Sequence, residues 1–302
     1  MSTLQEPIGS GFGAASTTAD VIAGINLSGK TAIVTGGYAG LGLETTRTLT
    51  SAGARVIVPA RDHQKAVNAL KGIDGVELEA TDLLDPASID AFAEKFLASG
   101  RPLQILVNNA GIMACPLRRD ARGYEAQFAT NHLGHFQLVT RLCPALRQAN
   151  GARAVSVSSW GHRFSPVVFD DPNDQRRAYG RFTAYGQSKT ANILFAVALD
   201  TCGKAEGVRA FSLHPGSIVS TDLKRECSDE ELRSADVIDE KGEPVLDPAR
   251  ALKTVEQGAA TQVWCATTPQ LDGKGGVYGE NCEVARPVPP GEVHEWTLGD
   301  ST

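Results

Sequence analysis

The sequence predicts an α/β fold: an open, doubly wound parallel sheet of about seven strands with helices on both faces, in a single domain. Three observations predict it. From Lys30 onward, short β-branched runs alternate with longer helical patterns, the signature of βαβ units. The first of these runs passes directly into a glycine-rich turn and then a helix. The chain has 302 residues, 42% hydrophobic and 21% charged, which suits one large globular domain of this class.

Taken in order, residues 1–28 are rich in Gly, Ser, Thr and Ala and show little periodicity. They are expected to be a leader packed over a domain that occupies 29–302. Their start lacks the basic and apolar regions of a secretory signal. Strands are expected at 31–35, 55–60, 76–80, 104–108, 154–158, 209–213 and 276–278. Helices are expected near 41–51, 64–71, 86–98, 124–147, 184–202 and 249–266. The charged stretch 222–247 breaks the rhythm and is expected to be a substrate lid. In such sheets ligands bind beyond the carboxyl ends of the strands, so residues just after each strand are the candidates.

Charge and cysteines narrow the partners. With 35 acids against 29 bases the net charge is −6, a poor match to nucleic acid or an anionic membrane surface. The longest apolar run, 193–199, falls far short of the roughly 20 residues that span a bilayer. None of the six cysteines forms a C-x-x-C pair, which points to a reducing, cytoplasmic setting. His132 and His135 have no third ligand beside them in sequence, so no metal is expected.

The first turn runs Gly36-Gly37-Tyr38-Ala39-Gly40-Leu41-Gly42. Glycines let a backbone approach a pyrophosphate closely, and the helix that follows offers unpaired N–H groups to it. Gly36, Tyr38, Gly40, Leu41 and Gly42 are therefore candidate dinucleotide contacts. A free ribose 2′-hydroxyl asks for a carboxylate at the end of the second strand, and a 2′-phosphate asks for a cation. That strand ends in Ala60 and Arg61, which favours NADP(H) while leaving NAD(H) open. Asp62 reads as the N-cap of the next helix.

Tyr185 and Lys189 stand four residues apart, on one face of a predicted helix. Reducing a carbonyl with hydride requires a proton at its oxygen, which a phenol can supply. A nearby ammonium is expected to lower the phenol pKa toward neutrality. Ser159 ends the fifth strand, where its hydroxyl can donate to the developing alkoxide. Tyr179 lacks a lysine four residues on, so Tyr185 is the candidate acid.

Together these motifs resemble the short-chain dehydrogenase/reductase family, most closely its retinol-dehydrogenase-like and WW-domain-oxidoreductase-like branch. The resemblance rests on Thr35-Gly36…Gly40-Leu41-Gly42, Asp82-Leu83, Asn108-Asn109-Ala110-Gly111, Asn131, Ser159, Tyr185/Lys189 and Pro215-Gly216, and covers roughly 28–225. It implies a Rossmann-type sheet and catalysis by Asn131, Ser159, Tyr185 and Lys189. Asn131 would bend its helix and hold a relay water, and Lys189 would also hold the nicotinamide ribose. It adds Asp82, Leu83, Asn109, Ala110, Gly111, Pro215, Gly216, Ile218 and Ser220 as cofactor contacts, with Thr221 an alternative to Ser220. The implied function is hydride transfer between NADP(H) and a small carbonyl or alcohol substrate. Met113, Trp160, Phe164 and Val168 suggest that its cleft is partly hydrophobic. Reduction of C=C or C=N bonds and a non-catalytic NADP-sensing role stand as alternatives, and a homo-oligomer is left open.

Overall fold

Seven β-branched runs become strands: β1 (Thr31–Val34), β2 (Arg55–Ala60), β3 (Val76–Ala80), β4 (Ile105–Asn108), β5 (Ala152–Val157), β6 (Val208–His214) and β7 (Val277–Glu280). They pair in parallel in the order β3-β2-β1-β4-β5-β6-β7. A two-residue β8 (Glu283–Val284) adds an antiparallel edge beside β7. It is too short to carry a periodicity, and the residues joining it to β7, Asn281 and Cys282, take left-handed backbone angles. The protein is described by a computed structural model covering residues 5–288, so the outermost ends of the expected 1–28 and 29–302 segments lie outside the described residues.

Two apolar clusters hold the layers. On one face, α1 (Thr18–Ile22), α2 (Gly40–Ser51), α3 (His63–Leu70) and α9 (Val255–Thr267) bury Val21, Leu49, Ala66, Val263 and Trp264 against the strands. On the other, α4 (Pro86–Ala98) and α6 (Gly134–Gln148) bury Ile89, Phe92, Leu138 and Leu142, and α7 (Arg181–Gly203) packs Phe195 and Leu199 against them. Residues 5–28 do more than lie over this core. Val21 and Leu27 are buried within it, and the Gln5 side chain bonds the backbone of Tyr278 and Ala285.

The strand order reverses between β1 and β4, and their register aligns Val34 with Val107. Thr35 and Asn108 therefore leave the sheet side by side and open a crevice there.

The expected helix 124–147 is broken. A short α5 (Ala126–Phe128) leads into a wide turn, Ala129–Leu133, before α6 begins. Gly134 N–H bonds Ala129 O, five residues back, which inserts the extra residue of a π turn. Gly134 also lies so close to Leu83 that a Cβ there would run into the Leu83 carbonyl oxygen. The expected helix 249–266 starts later, at Val255. A capping box between Thr254 and Gln257 sets that start, and Ala251 ends a preceding 3₁₀ turn in left-handed backbone. Residues 222–247 fold around α8 (Asp229–Ser234), with Leu232, Val237 and Ile238 packing on Val219 and Leu252 as a separate small cluster.

Candidate active site

A cleft of about 440 Å³ opens at the carboxyl ends of the strands. Its floor is tied together by Thr35. The Thr35 Oγ1 accepts from the backbone N–H groups of Asn109 (2.9 Å) and Ala110 (3.0 Å), and Asn109 Nδ2 donates to Thr35 O (2.9 Å). Above this floor the glycine loop turns so tightly that a Cβ at Gly42 would strike the Gly36 carbonyl oxygen. Gly36, Tyr38, Gly40 and Leu41 line the cleft, whereas Gly42 supports the turn from behind.

At one end Arg61, Asp82 and Leu83 line the wall together with Lys65, which the sequence did not single out. Asp62 accepts from Lys65 N (3.0 Å) as the N-cap of α3, so its carboxylate is committed to the helix. The hydroxyls of Thr81 and Thr130 are buried in this wall and have no partner among the described residues. Buried hydroxyls keep a demand for a hydrogen bond, and these two face a cleft already floored by glycine and by Ala110 and Gly111. A cradle lined in this way fits a dinucleotide.

At the centre, Ser159 caps a 3₁₀ turn (Trp160–Phe164), its Oγ accepting from Gly161 N at 3.0 Å. Trp160 N donates to Nδ1 of the buried His214 (2.9 Å), which fixes that turn against the end of β6. Tyr185 and Lys189 both come from α7 and are buried. Lys189 Nζ donates to Val157 O (3.0 Å), and Ser158 Oγ donates to Lys189 O (2.8 Å). Burial pushes the Tyr185 phenol up to about 12, opposed by the Ser159 hydroxyl, and pushes the Lys189 ammonium down to about 8. The phenol thus rises where a fall toward neutrality was expected, because burial desolvates it.

Asn131 sits in the π turn behind the cleft. Its Oδ1 accepts from Ile112 N (2.9 Å), and its Nδ2 donates to Ile112 O (3.0 Å) and Ser188 Oγ (2.9 Å). Ser188 in turn donates to Tyr185 O (2.7 Å), so Asn131 braces the first turns of α7. A side chain at Gly111 would fall 3.3 Å from Asn131 Oδ1 and 3.5 Å from Lys189 Nζ, so glycine keeps that space open. His135, missed as a site residue, joins both halves. Its Nδ1 lies 2.9 Å from Asn131 O and its Nε2 2.9 Å from Thr35 Oγ1. The carbonyl requires Nδ1 to donate, so Nε2 accepts from Thr35. Burial holds this ring neutral, its pKa pushed down to about 4.

Pro215, Gly216 and Ile218 line the cleft, but Ser220 does not. Val219 turns inward to the small cluster beneath 222–247, which leaves Ser220 exposed and brings Thr221 into the wall, its Oγ1 donating to Ile218 O (3.0 Å). Of the two candidates, Ser220 and Thr221, it is Thr221 that lines the cleft. The far end is mostly apolar, formed by Met113, Trp160, Phe164, Phe182, Leu232 and Val237. Val168 is not part of it; its N–H is held by Gln187 Oε1 at 2.9 Å. Among the described residues no helix is long and apolar enough to cross a membrane, and no cluster of His, Cys, Asp or Glu is placed to hold a metal.

Comparisons with known proteins converge on one family. The family model for short chain dehydrogenase matches residues 30–232. The chain is 46% identical over 275 residues to a protein named as a probable oxidoreductase in Streptomyces lividans, spanning 89% of this chain and 90% of that one. It is 37% identical over 265 residues to retinol dehydrogenase 12 of Homo sapiens, spanning 86% of this chain and 80% of that one. An uncharacterized protein from Mycobacterium paratuberculosis, of known crystal structure, superimposes with a TM-score of 0.68 at 31% identity, covering 87% of this chain and 84% of that one.

Proposed function

The chain belongs to the short-chain dehydrogenase family, in its retinol-dehydrogenase-like branch, and from that premise we propose that it is an NADP(H)-dependent oxidoreductase interconverting a carbonyl and an alcohol on a small, partly apolar molecule. One observation carries the proposal: Ser159, Tyr185 and Lys189 meet in a single cleft with the glycine loop at one end and an apolar wall at the other. That one relative is named a retinol dehydrogenase supports both the reaction class and the apolar substrate.

The glycine loop, Asn109, Ala110, Gly111, Pro215, Gly216, Ile218 and Thr221 would hold the dinucleotide. Arg61 in the wall, with Asp62 committed to its helix cap, supports a 2′-phosphate over a free hydroxyl. When bound, the nicotinamide supplies the hydride in reduction and takes it up in oxidation.

The protein's part is the proton. In reduction the Tyr185 Oη gives its proton to the carbonyl oxygen as the C=O π bond becomes a C–H and an O–H bond, and the Ser159 hydroxyl donates to that same oxygen. A phenol kept protonated by burial suits the donor role. In oxidation the phenolate takes the proton back, helped by the adjacent Lys189 ammonium. Asn131 positions α7 under both groups. The apolar wall excludes water, and residues 222–247 act as its lid. Exposed Phe136, Leu194 and Val197 on α6 and α7 support a homo-oligomer, and the six free thiols fit a reducing cytoplasm.

The test is a panel of ketones, aldehydes and enones with NADPH, following absorbance of the reduced cofactor and identifying products. Conversion of ketone to alcohol that is lost in Tyr185→Phe, with NADPH binding retained, is expected. An enone reduced only at its C=C bond would move the assignment to the alternative reductase class. Tight cofactor binding with no turnover of any compound would point to a sensor. Arg61→Asp should shift preference from NADP(H) toward NAD(H), and an unchanged ratio would overturn the cofactor assignment.

A further inference from the structure

Lys65 Nζ pairs with Asp222 Oδ2 at 2.5 Å, across 157 residues of chain. The two come from opposite banks of the cleft and both line it. Lys65 stands on the first turn of α3, one turn beyond Arg61. Asp222 begins the 222–247 segment, right after Thr221, whose side chain packs on Gly40 of the glycine loop. The pair therefore closes over the end of the cleft where Arg61 and Tyr38 lie. Arg61 makes no ion pair among the described residues, so of these two cations one is free and one is held.

Resting on the NADP(H) reading above, we propose that Lys65 is the second cation for the adenosine 2′-phosphate and that Asp222 is its built-in competitor, so that this pair sets cofactor discrimination from the lid side of the cleft. Both side chains are about half exposed, 49% and 62%, and exposed ion pairs of this kind are weak. A 2′-phosphate carries more charge than one carboxylate and meets Arg61 and Lys65 together, so it displaces Asp222 at little cost. An unphosphorylated ribose brings no such charge and leaves the pair closed. The phosphate thus frees the root of the lid as it binds. The glycine loop holds Tyr38-Ala39 and no cation of its own, whereas Lys65, four residues beyond Arg61, lines the same cleft.

The experiment is a binding measurement on the full chain, with no turnover involved. NADPH and NADH, and 2′-phosphorylated and plain ADP-ribose, are titrated calorimetrically against wild type, Asp222→Asn, Lys65→Gln and the double variant. Asp222→Asn should bind the phosphorylated ligands about threefold more tightly and Lys65→Gln about tenfold more weakly, with the plain ligands little changed. In the Lys65→Gln background the gain from Asp222→Asn should vanish, which separates competition for Lys65 from mere loss of a negative charge. A wild-type preference for the 2′-phosphate that Asp222→Asn leaves unchanged, or a gain that survives without Lys65, overturns this inference alone. Wild type binding both ligand classes equally overturns the NADP(H) reading and this inference with it.

Discussion

The Nζ of Lys189 lies 5.5 Å from the centre of the Tyr185 ring, and both side chains are buried. Burial drives each toward its neutral form, the phenol up to about 12 and the ammonium down to about 8. The free enzyme therefore keeps the proton needed for reduction across the neutral range, but keeps the neighbouring positive charge only below about pH 8. We expect kcat/KM for carbonyl reduction to be flat near neutrality and to fall as pH rises through about 8, since this parameter reports free-enzyme ionisations. A profile level well past pH 9 would show that Lys189 does not titrate there.

Lys189 should also be a stability liability. Its ordinary value is 10.5 and its folded value about 8, so below pH 8 the folded chain bears a desolvation cost on the order of 3 kcal/mol. Between about 8 and 10.5 the folded state loses its proton before the unfolded state does, and stability rises with pH. Lys189→Met removes that cost but takes one of two side-chain donors from Val157 O, leaving the longer bond from Asn192 Nδ2 (3.4 Å), a loss of about 1 kcal/mol. The variant should be inactive yet no less stable than wild type at pH 7, with any advantage shrinking toward pH 10. Unfolding midpoints at the two pH values measure this; a variant that is much weaker at pH 7 would refute it.

Strand ends were legible because a parallel sheet delivers its chemistry in linear order: Gly36, Arg61, Asp82, Asn109, Ser159 and Pro215 each follow a strand and each reaches the cleft. What the sequence hid depends on contacts between distant segments. The resemblance implied a bend at Asn131, but the π turn that makes it arises where Gly134 meets the backbone of Leu83, a contact between distant segments. Thr221 displaces Ser220 because Val219 finds an apolar cluster built by residues after 230. The Tyr185 phenol rises when a falling value was expected, because spacing gives proximity to Lys189 but not the burial that both share. Lys65 belongs to no motif, and its partner Asp222 lies 157 residues away in the chain.

Gly134 carries a sharp prediction. A methyl group there must displace the Leu83 backbone, which forms part of the cleft wall. Gly134→Ala should destabilise the protein by about 1–3 kcal/mol, as overpacked sites do, and should weaken dinucleotide binding. Gly13→Ala, where an added methyl meets nothing within 4 Å, serves as the neutral control. Equal unfolding midpoints for the two variants would mean that the π turn tolerates a side chain.

The two buried histidines should make the fold acid-sensitive. His135 is held at about 4 and His214 at about 3, both chiefly by burial, against an ordinary value of 6.5. As pH falls below 6.5 the unfolded chain takes up these protons and the folded chain does not, so stability drops progressively until pH nears the folded values. Each histidine then contributes a slope of up to about 1.4 kcal/mol per pH unit between roughly 6 and 4. Glu125 works the other way, since burial raises its carboxyl and favours its protonated form in the folded state. The total slope therefore mixes signs, and single variants isolate each part. His135→Gln should lower stability at pH 7 by about 1–3 kcal/mol through its bonds to Thr35 and Asn131, while flattening the acid limb by one proton. Urea unfolding at pH 7 and pH 5 compares the two effects directly. If the variant and wild type lost the same stability between those pH values, His135 would already be protonated in the fold, and the neutral ring that joins Thr35 to Asn131 could not be the one present.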